Sequence, residues 1–264
     1  MDFDIVDLHT HILPGLDDGV KKWEEAVEIC RVAIEMGIKT IGVTPHFFPG
    51  RYEPKREKVL QKTCELKRKL EAEGVDLQII PGAEIRLFGG LIEKIKTGEI
   101  LTFNDAGKFI FLEIPSTLPL SLVRNYLFSL QVEGIVPIIS HPERNLNSTK
   151  DLYLIDDLIR KGALVQVSVP SVVGHFGRKA KKAAKILLKS RLVHLIASDS
   201  HSLRGLHALD ESLKIISKWV GEKEVLKLLK ENPEKIIAGE RPENLNARVV
   251  KRGNIFARYL KKRF

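Results

Sequence analysis

Cysteine is scarce in this chain, with two in 264 residues. That is too few for a disulfide framework and points to a reducing compartment. Cys30 and Cys64 fall inside helical periodicities and read as two small buried hydrophobes. Neither is followed six positions later by arginine; Met36 and Leu70 stand there, so the thiolate loop of cysteine-dependent phosphatases is absent. No apolar run approaches the length of a membrane span. The first residues carry Asp2, Asp4 and Asp7 where a secretory leader would be basic, and a cytoplasmic location is expected. Neither a G-x-x-x-x-G-K phosphate loop nor a G-x-S-x-G elbow occurs, which excludes nucleotide-driven chemistry and serine hydrolysis.

The composition, 44% hydrophobic and 29% charged, is that of a globular domain. A formal charge of +9 resembles a nucleic-acid signal, but its placement argues otherwise. From Arg241 onward eight Lys or Arg face one acid, Glu243, which leaves the first 240 residues nearly balanced at +2. The basicity belongs to the tail, and no nucleic-acid partner is expected. The chain therefore divides into residues 1–240 and a basic tail, 241–264.

Short apolar runs alternate with amphipathic stretches. Strands are expected at residues 4–8, 39–44, 77–80, 108–112, 135–140, 163–169 and 192–197. Helices are expected at 22–35, 54–73, 91–96, 120–133, 151–161, 178–190, 206–219 and 223–231, with a last one opening at Asn232-Pro233. Strands that are near-continuous apolar runs belong to parallel sheets covered by helices. An open sheet gathers ligands at one switch point, whereas a closed barrel collects every strand end on one face. The expected fold is an irregular seven-stranded α/β barrel of the TIM-like kind, followed by a helical tail.

What the strand ends carry is the main signal. His9 and His11, Asp18, His46, Glu84, Glu113, His141, and Asp199 and His201 each stand where an apolar run would emerge. Residues two apart on a strand point the same way, so His9 and His11 can reach one ion, as can Asp199 and His201. A strand-end carboxylate such as Glu113 is costly unless it is paired or ligating. Singly, each has an ordinary reading: a surface His pair, an ion-pair partner, a helix cap at Asp18 or a turn residue at His141. Jointly, after most of the strands, they describe a metal site. Asp17 is left as an outer partner or a cap.

Imidazoles and hard oxygens without thiolate suit Mn²⁺, Fe²⁺ or Zn²⁺ in a catalytic site, and nine ligands exceed what one ion takes, fitting two or three. Three divalent ions against the four carboxylates leave a residual charge of about +2, which matches a phosphate dianion. A hydroxide held between two ions would then attack phosphorus in line. Arg144 and Arg204, three residues after His141 and His201, are placed to grip the phosphate. With His201 they form the expected catalytic set. Each arginine could equally make a surface ion pair. His194 sits in an apolar strand and reads as a core residue. His175, His207, Phe47, Phe48 and Tyr52 could line the mouth, the aromatics stacking on an aromatic leaving group or packing as a lid.

The motifs DLHTHILPGLDDG, TPH, PGAEI, FLEIP, SHPERN, IASDSHS and NPEKII together resemble the polymerase-and-histidinol-phosphatase (PHP) superfamily, over residues 1 to about 240. The DDG, PGAE and NPEKII elements are similar to one branch of it, the bacterial manganese-dependent protein tyrosine phosphatases of capsule and exopolysaccharide loci. The resemblance implies a trinuclear site: His9, His11, Glu84 and Asp199 around one ion; Glu84, Glu113 and His141 around a second; Asp18, His46 and His201 around a third. It implies that Arg144 contacts phosphate, while Arg204 lies closer to His201 than the second arginine of the family. The implied substrate is phosphotyrosine on the C-terminal tail of a bacterial tyrosine kinase. Histidinol-phosphate phosphatase is the alternative, an exonuclease a weaker one, and a metal-dependent scaffold would require degraded ligands. In the tail, Ile255, Phe256, Tyr259 and Leu260 have helical spacing among basic residues, which would suit an anionic membrane surface, a homo-oligomer contact or a plain solvated helix.

Overall fold

The apolar runs do form parallel strands. The computed structural model describes residues 3–115, 117–118, 120–145 and 149–243; the hydrophobic spacing at 255–260 lies outside them. Nine strands are present among the described residues: β1 (Ile5–Thr10), β2 (Ile38–Val43), β3 (His46–Phe47), β4 (Gln78–Pro81), β5 (Glu84–Arg86), β6 (Phe109–Glu113), β7 (Val136–Ser140), β8 (Leu164–Ser168) and β9 (Leu195–Ala197). They pair in the orders β1-β2-β4 and β3-β5-β6-β7-β8-β9, parallel throughout.

Nine strands make seven staves, because two staves are broken. The expected strand at 39–44 ends at Val43 and resumes as β3, since Pro45 has no N–H to give to a ladder. Its neighbour is broken between β4 and β5. Across the breaks Gly82 N donates to Val43 O at 2.9 Å and Glu84 N to Pro45 O at 3.1 Å, so the two staves stay adjacent. The barrel closes where Asp199 N donates to His9 O (2.9 Å) and His11 N to Ser200 O (2.8 Å). The last stave is shorter than expected: β9 starts only at Leu195. His194 takes over the ladder, its N–H donating to Val165 O at 2.9 Å and its Nδ1 accepting from Val165 N at 3.1 Å.

Side chains alternate along the staves. Val6, Leu8, Phe109, Phe111, Ile138, Leu164 and Leu195 form one buried cluster with Ile80, Phe103 and Ile236. Their neighbours Ile5, Ile110, Leu112, Ile139, Val165 and Ile196 join the larger core beneath the helices. The first set fills the barrel and the second carries the outer layer, as the two-residue strand period requires.

That layer comprises α1 (Trp23–Glu35), α2 (Arg56–Ala72), α3 (Leu91–Lys96), α4 (Leu120–Val132), α5 (Thr149–Arg160), α6 (Val169–Val173), α7 (Gly177–Lys189), α8 (Leu203–Val220) and α9 (Glu222–Leu226). A further helix, α10 (Asn232–Ile237), sends Ile236 into the interior cluster, and Asn232 Nδ2 donates to His194 O at 2.7 Å. The NPEKII segment thus closes the end of the barrel at which the strands begin. Of the two cysteines, Cys30 is buried in α1, but Cys64 is exposed on α2, contrary to expectation, because Thr63 and Leu66 face inward there. No helix among the described residues is long and apolar enough to cross a membrane.

Candidate metal centre

Barrel closure brings the ends of the staves to one rim, and most end on a side chain with a lone pair to offer. Glu84, fully buried at the start of β5, stands in the middle. Its Oε1 lies 2.7 Å from His141 Nε2, and its Oε2 lies 2.9 Å from His46 Nδ1, 3.3 Å from His9 Nε2 and 3.5 Å from His11 Nε2. Asp199 Oδ1 lies 3.4 Å from His11 Nε2 and 3.7 Å from both His9 Nε2 and His201 Nδ1. Asp18 Oδ1 is 3.5 Å from His46 Nε2 and 3.7 Å from His201 Nε2. Three overlapping groups have their ligand atoms within 4.8 Å of one another: His9, His11 and Glu84; His9, His141 and Asp199; and His11, His46 and His201. Glu113, the last residue of β6, lines the same cavity but belongs to none of these groups.

Outer partners decide how the imidazoles face. His9 Nδ1 is 3.2 Å from Gln166 Oε1, which also accepts from the backbone N of His141, so Nδ1 of His9 carries the proton. His11 Nδ1 is 2.7 Å from Asp17 Oδ2, and His201 Nδ1 is 2.9 Å from the carbonyl of Asp199. Both contacts again require Nδ1–H. In their neutral forms the three imidazoles therefore turn Nε2 lone pairs to the centre. Those of His9 and His11 approach to 3.2 Å. Glu84 Oε2 and Asp199 Oδ1 are buried beside them, and although imidazole nitrogens approach to 2.9 and 3.4 Å, none has the geometry of a hydrogen bond to either oxygen. Lone pairs and carboxylate oxygens crowded in this way repel unless positive charge sits among them. The donor set fits divalent cations.

Electrostatics agree. Burial opposes ionisation of Glu84 and Asp199, yet both carboxyls are held well below their ordinary range, Glu84 chiefly by His9 and His141, and Asp199 chiefly by Arg144. Burial would depress His11, but the Asp17 carboxylate outweighs it and raises the imidazole to about 10; the reciprocal effect takes Asp17 down to about 2. The centre attracts cations, and in their absence it attracts protons.

The backbone is bent to the purpose. His141 and Asp199 both adopt positive φ, +33° and +53°, a region side chains avoid unless their surroundings impose it. In the loop after β1 a Cβ at Gly19 would fall 2.0 Å from the carbonyl oxygen of His11. Only glycine fits there, and it allows Asp17 to accept from Gly19 N and His46 N, both at 2.9 Å.

The centre opens into a cavity of about 490 Å³. Arg144 lies at its edge, with Nη2 donating to Asp199 Oδ2 and, at 3.0 Å, to Ser168 Oγ, and with Cζ 3.9 Å from the ring centroid of Phe176. Arg204 lines the cavity and makes no ion pair among the described residues. Phe48, Tyr52 and His175 line it too, but two residues expected at the mouth are elsewhere. Phe47 is buried in the core against Phe88, since it alternates with His46 across β3, and His207 lies a turn along α8, outside the lining. Spacing alone also missed Gln166, Ser168 and Glu143, whose Oε1 accepts from Ser168 N and Oγ, both at 3.0 Å, and so fixes the hydroxyl that Arg144 meets. Gln166 is an amide at 0% exposure in the apolar run ALVQVSV, and that anomaly is the signal that could have found it.

Residues 5–238 match the family described as capsular polysaccharide synthesis, CpsB/CapC. The tyrosine-protein phosphatase YwqE of Bacillus subtilis (strain 168) is 32% identical over 254 residues, spanning 96% of this chain and 99% of its own. The putative tyrosine-protein phosphatase CapC of Staphylococcus aureus is 38% identical over 199 residues, 75% of this chain and 78% of its own. A solved structure from work on YwqE of Bacillus subtilis and CpsB of Streptococcus pneumoniae, described as unique metal-dependent tyrosine phosphatases, superposes with a TM-score of 0.81 at 32% identity, covering 89% of this chain and 95% of the other.

Proposed function

The chain belongs to the CpsB/CapC family of capsular polysaccharide synthesis, and from that premise we propose that it is a metal-dependent phosphatase of protein phosphotyrosine. The observation that carries this reading is the convergence of imidazole nitrogens and two buried carboxylate oxygens without a well-formed hydrogen bond on one point. His9, His11, Glu84 and Asp199 would hold one ion; Glu84, Glu113 and His141 a second; Asp18, His46 and His201 a third. Manganese is the ion we assign, the donors being hard oxygens and imidazoles without thiolate. Ions bound there supply Lewis acidity towards the phosphate oxygens and a water acidic enough to act as nucleophile.

The chain's own groups do the rest. Arg144 is held at the cavity edge by Asp199, Ser168 and Phe176, so its planar guanidinium meets a phosphate without first being ordered. Arg204 adds a second guanidinium from the first turn of α8. His201 stands at the outer side of the centre, its imidazole pKa lowered by burial and by the nearby His11. Phe48, Tyr52 and Phe176, each with a guanidinium over its ring, make the cavity wall apolar and aromatic where the phenyl group of phosphotyrosine would lie, and they distinguish it from an aliphatic phosphate ester. The physiological substrate we assign is the tyrosine-phosphorylated tail of a kinase of polysaccharide assembly, approached at an anionic membrane surface through the basic residues from Arg241 onward.

The test is a metal analysis of purified protein combined with a substrate panel under Mn²⁺. Phosphate should be released faster from a phosphotyrosine peptide than from histidinol phosphate, single-stranded DNA should be left intact, and more than one divalent ion should copurify per chain. Preference for histidinol phosphate, or full turnover in protein stripped of divalent ions, would overturn the reading.

A further inference from the structure

Four arginines line the mouth: Arg51, Arg86, Arg144 and Arg204. Arg144 is committed to Asp199 and Ser168. Arg51 and Arg86 form no ion pair among the described residues. Each is instead laid over an aromatic ring of the cavity wall. Arg51 Cζ is 5.0 Å from the centroid of Tyr52, and Arg86 Cζ is 4.3 Å from that of Phe48. Both rings belong to one turn, closed by reciprocal backbone bonds between Phe48 and Tyr52 (2.6 and 2.8 Å) and pinned where Gly50 N donates to Glu53 at 2.7 Å. Arg86 follows Glu84 by two residues on β5, so it faces the same way, one strand repeat nearer the mouth, roughly 6.6 Å farther along. These cations are positioned but not neutralised.

The carboxylates lining this cavity, Asp18, Glu113 and Asp199, are all given to the metal centre by the reading above. One phosphate dianion is met by that centre with Arg144. Two further guanidiniums at the rim are then surplus to a lone phosphate, and a mouth lined by one sign of charge selects ligands that carry more of the other. We propose that Arg51 and Arg86 form a subsite for carboxylate side chains neighbouring the phosphotyrosine, and that the preferred substrates are acidic-flanked phosphotyrosine segments. The inference rests on the phosphotyrosine reading and specifies the substrate class of the same site.

The experiment compares kcat/KM for three substrates on the manganese-loaded enzyme: a phosphotyrosine peptide flanked by Glu, the same peptide flanked by Gln, and free phosphotyrosine. The Glu peptide should be favoured over the Gln peptide by about tenfold at low ionic strength. That ratio should fall towards one in the double variant Arg51→Gln/Arg86→Gln. It should also shrink in the unaltered enzyme as salt is raised, a readout that survives even if the variant fails to fold. A ratio near one in the unaltered enzyme, a ratio the double variant leaves intact, or one indifferent to salt would each overturn the subsite while leaving the phosphatase reading in place. Absence of phosphate release from all three substrates would overturn the phosphatase reading itself, and the subsite with it.

Discussion

Asp17 shows how much of this centre is decided one bond away from its ligands. It points at no ion position, yet Oδ2 receives both His11 Nδ1 (2.7 Å) and the backbone N of His46 (2.9 Å), and so aims two ligands at once. Replacing it by Asn keeps the shape and removes the charge that fixes the His11 tautomer. Asp17→Asn should weaken divalent-metal affinity by roughly 10- to 100-fold while far-UV dichroism stays unchanged; metal titration by calorimetry reads it, and unaltered affinity would show that the contact does not orient His11. The candidate ligands we propose were legible as a set from residue type, because few side chains coordinate hard cations and idle strand-end carboxylates are costly. Which partner orients each of them was not. Asp17 reads in the sequence only as an outer partner or a cap, and Gln166 only as an amide out of place in an apolar run; what they orient is decided when residues as far apart as His9 and Gln166, separated by 157 positions, meet.

Among the elements, β9 is the clearest departure from what hydrophobic spacing predicts. The apolar run from Leu192 is continuous, but ordered pairing begins at Leu195, with the His194 imidazole standing in for a ladder acceptor. Burial first, and then the charge of Arg241, depress this imidazole to about 3. The folded pKa lies below the unfolded value of about 6.5, so the unfolded chain takes up a proton that the folded one refuses. Stability from this group is intact above pH 6.5 and declines as pH falls from there towards 3, by roughly 1.4 kcal/mol per unit. His194→Asn retains an acceptor for Val165 N but cannot titrate. It should lower stability near neutrality yet flatten the loss between pH 6.5 and 4, as followed by urea unfolding at stepped pH; parallel profiles for the two proteins would exclude the effect. The broken staves follow a similar logic. Pro45 is visible in the sequence as a break, but its stave still reads as one strand because hydrogen bonds bridge the gap.

At the scale of the whole molecule, a rim that gathers buried imidazoles and carboxylates is a liability without cations. Glu84 and Asp199 are each exposed by 5% or less. Metal binding and stability should therefore be coupled. A chelator should lower the melting temperature and Mn²⁺ should restore it, the gain amounting to about 2.7 kcal/mol at a hundredfold excess over Kd. The gain should diminish as pH falls from about 10, where the metal-free His11 imidazole begins to hold a proton that a cation must displace. Differential scanning calorimetry across metal concentration and pH checks this, and a melting temperature indifferent to chelation would refute the coupling.

The sequence by itself determined the parallel barrel and the chemical identity of its rim. Both are local properties: apolar runs of strand length separated by helical periods, and ligating residue types at their ends. Only the tertiary structure decided which of those candidate ligands face one another, that Glu84 stands at the centre with Glu113 and Asp18 outside the closest groups, and that Arg51 and Arg86 lie over aromatic rings without an ion pair among the described residues. Closing a barrel converts positions far apart in the chain into neighbours a few ångströms apart, and spacing along a sequence holds no record of distances that closure creates.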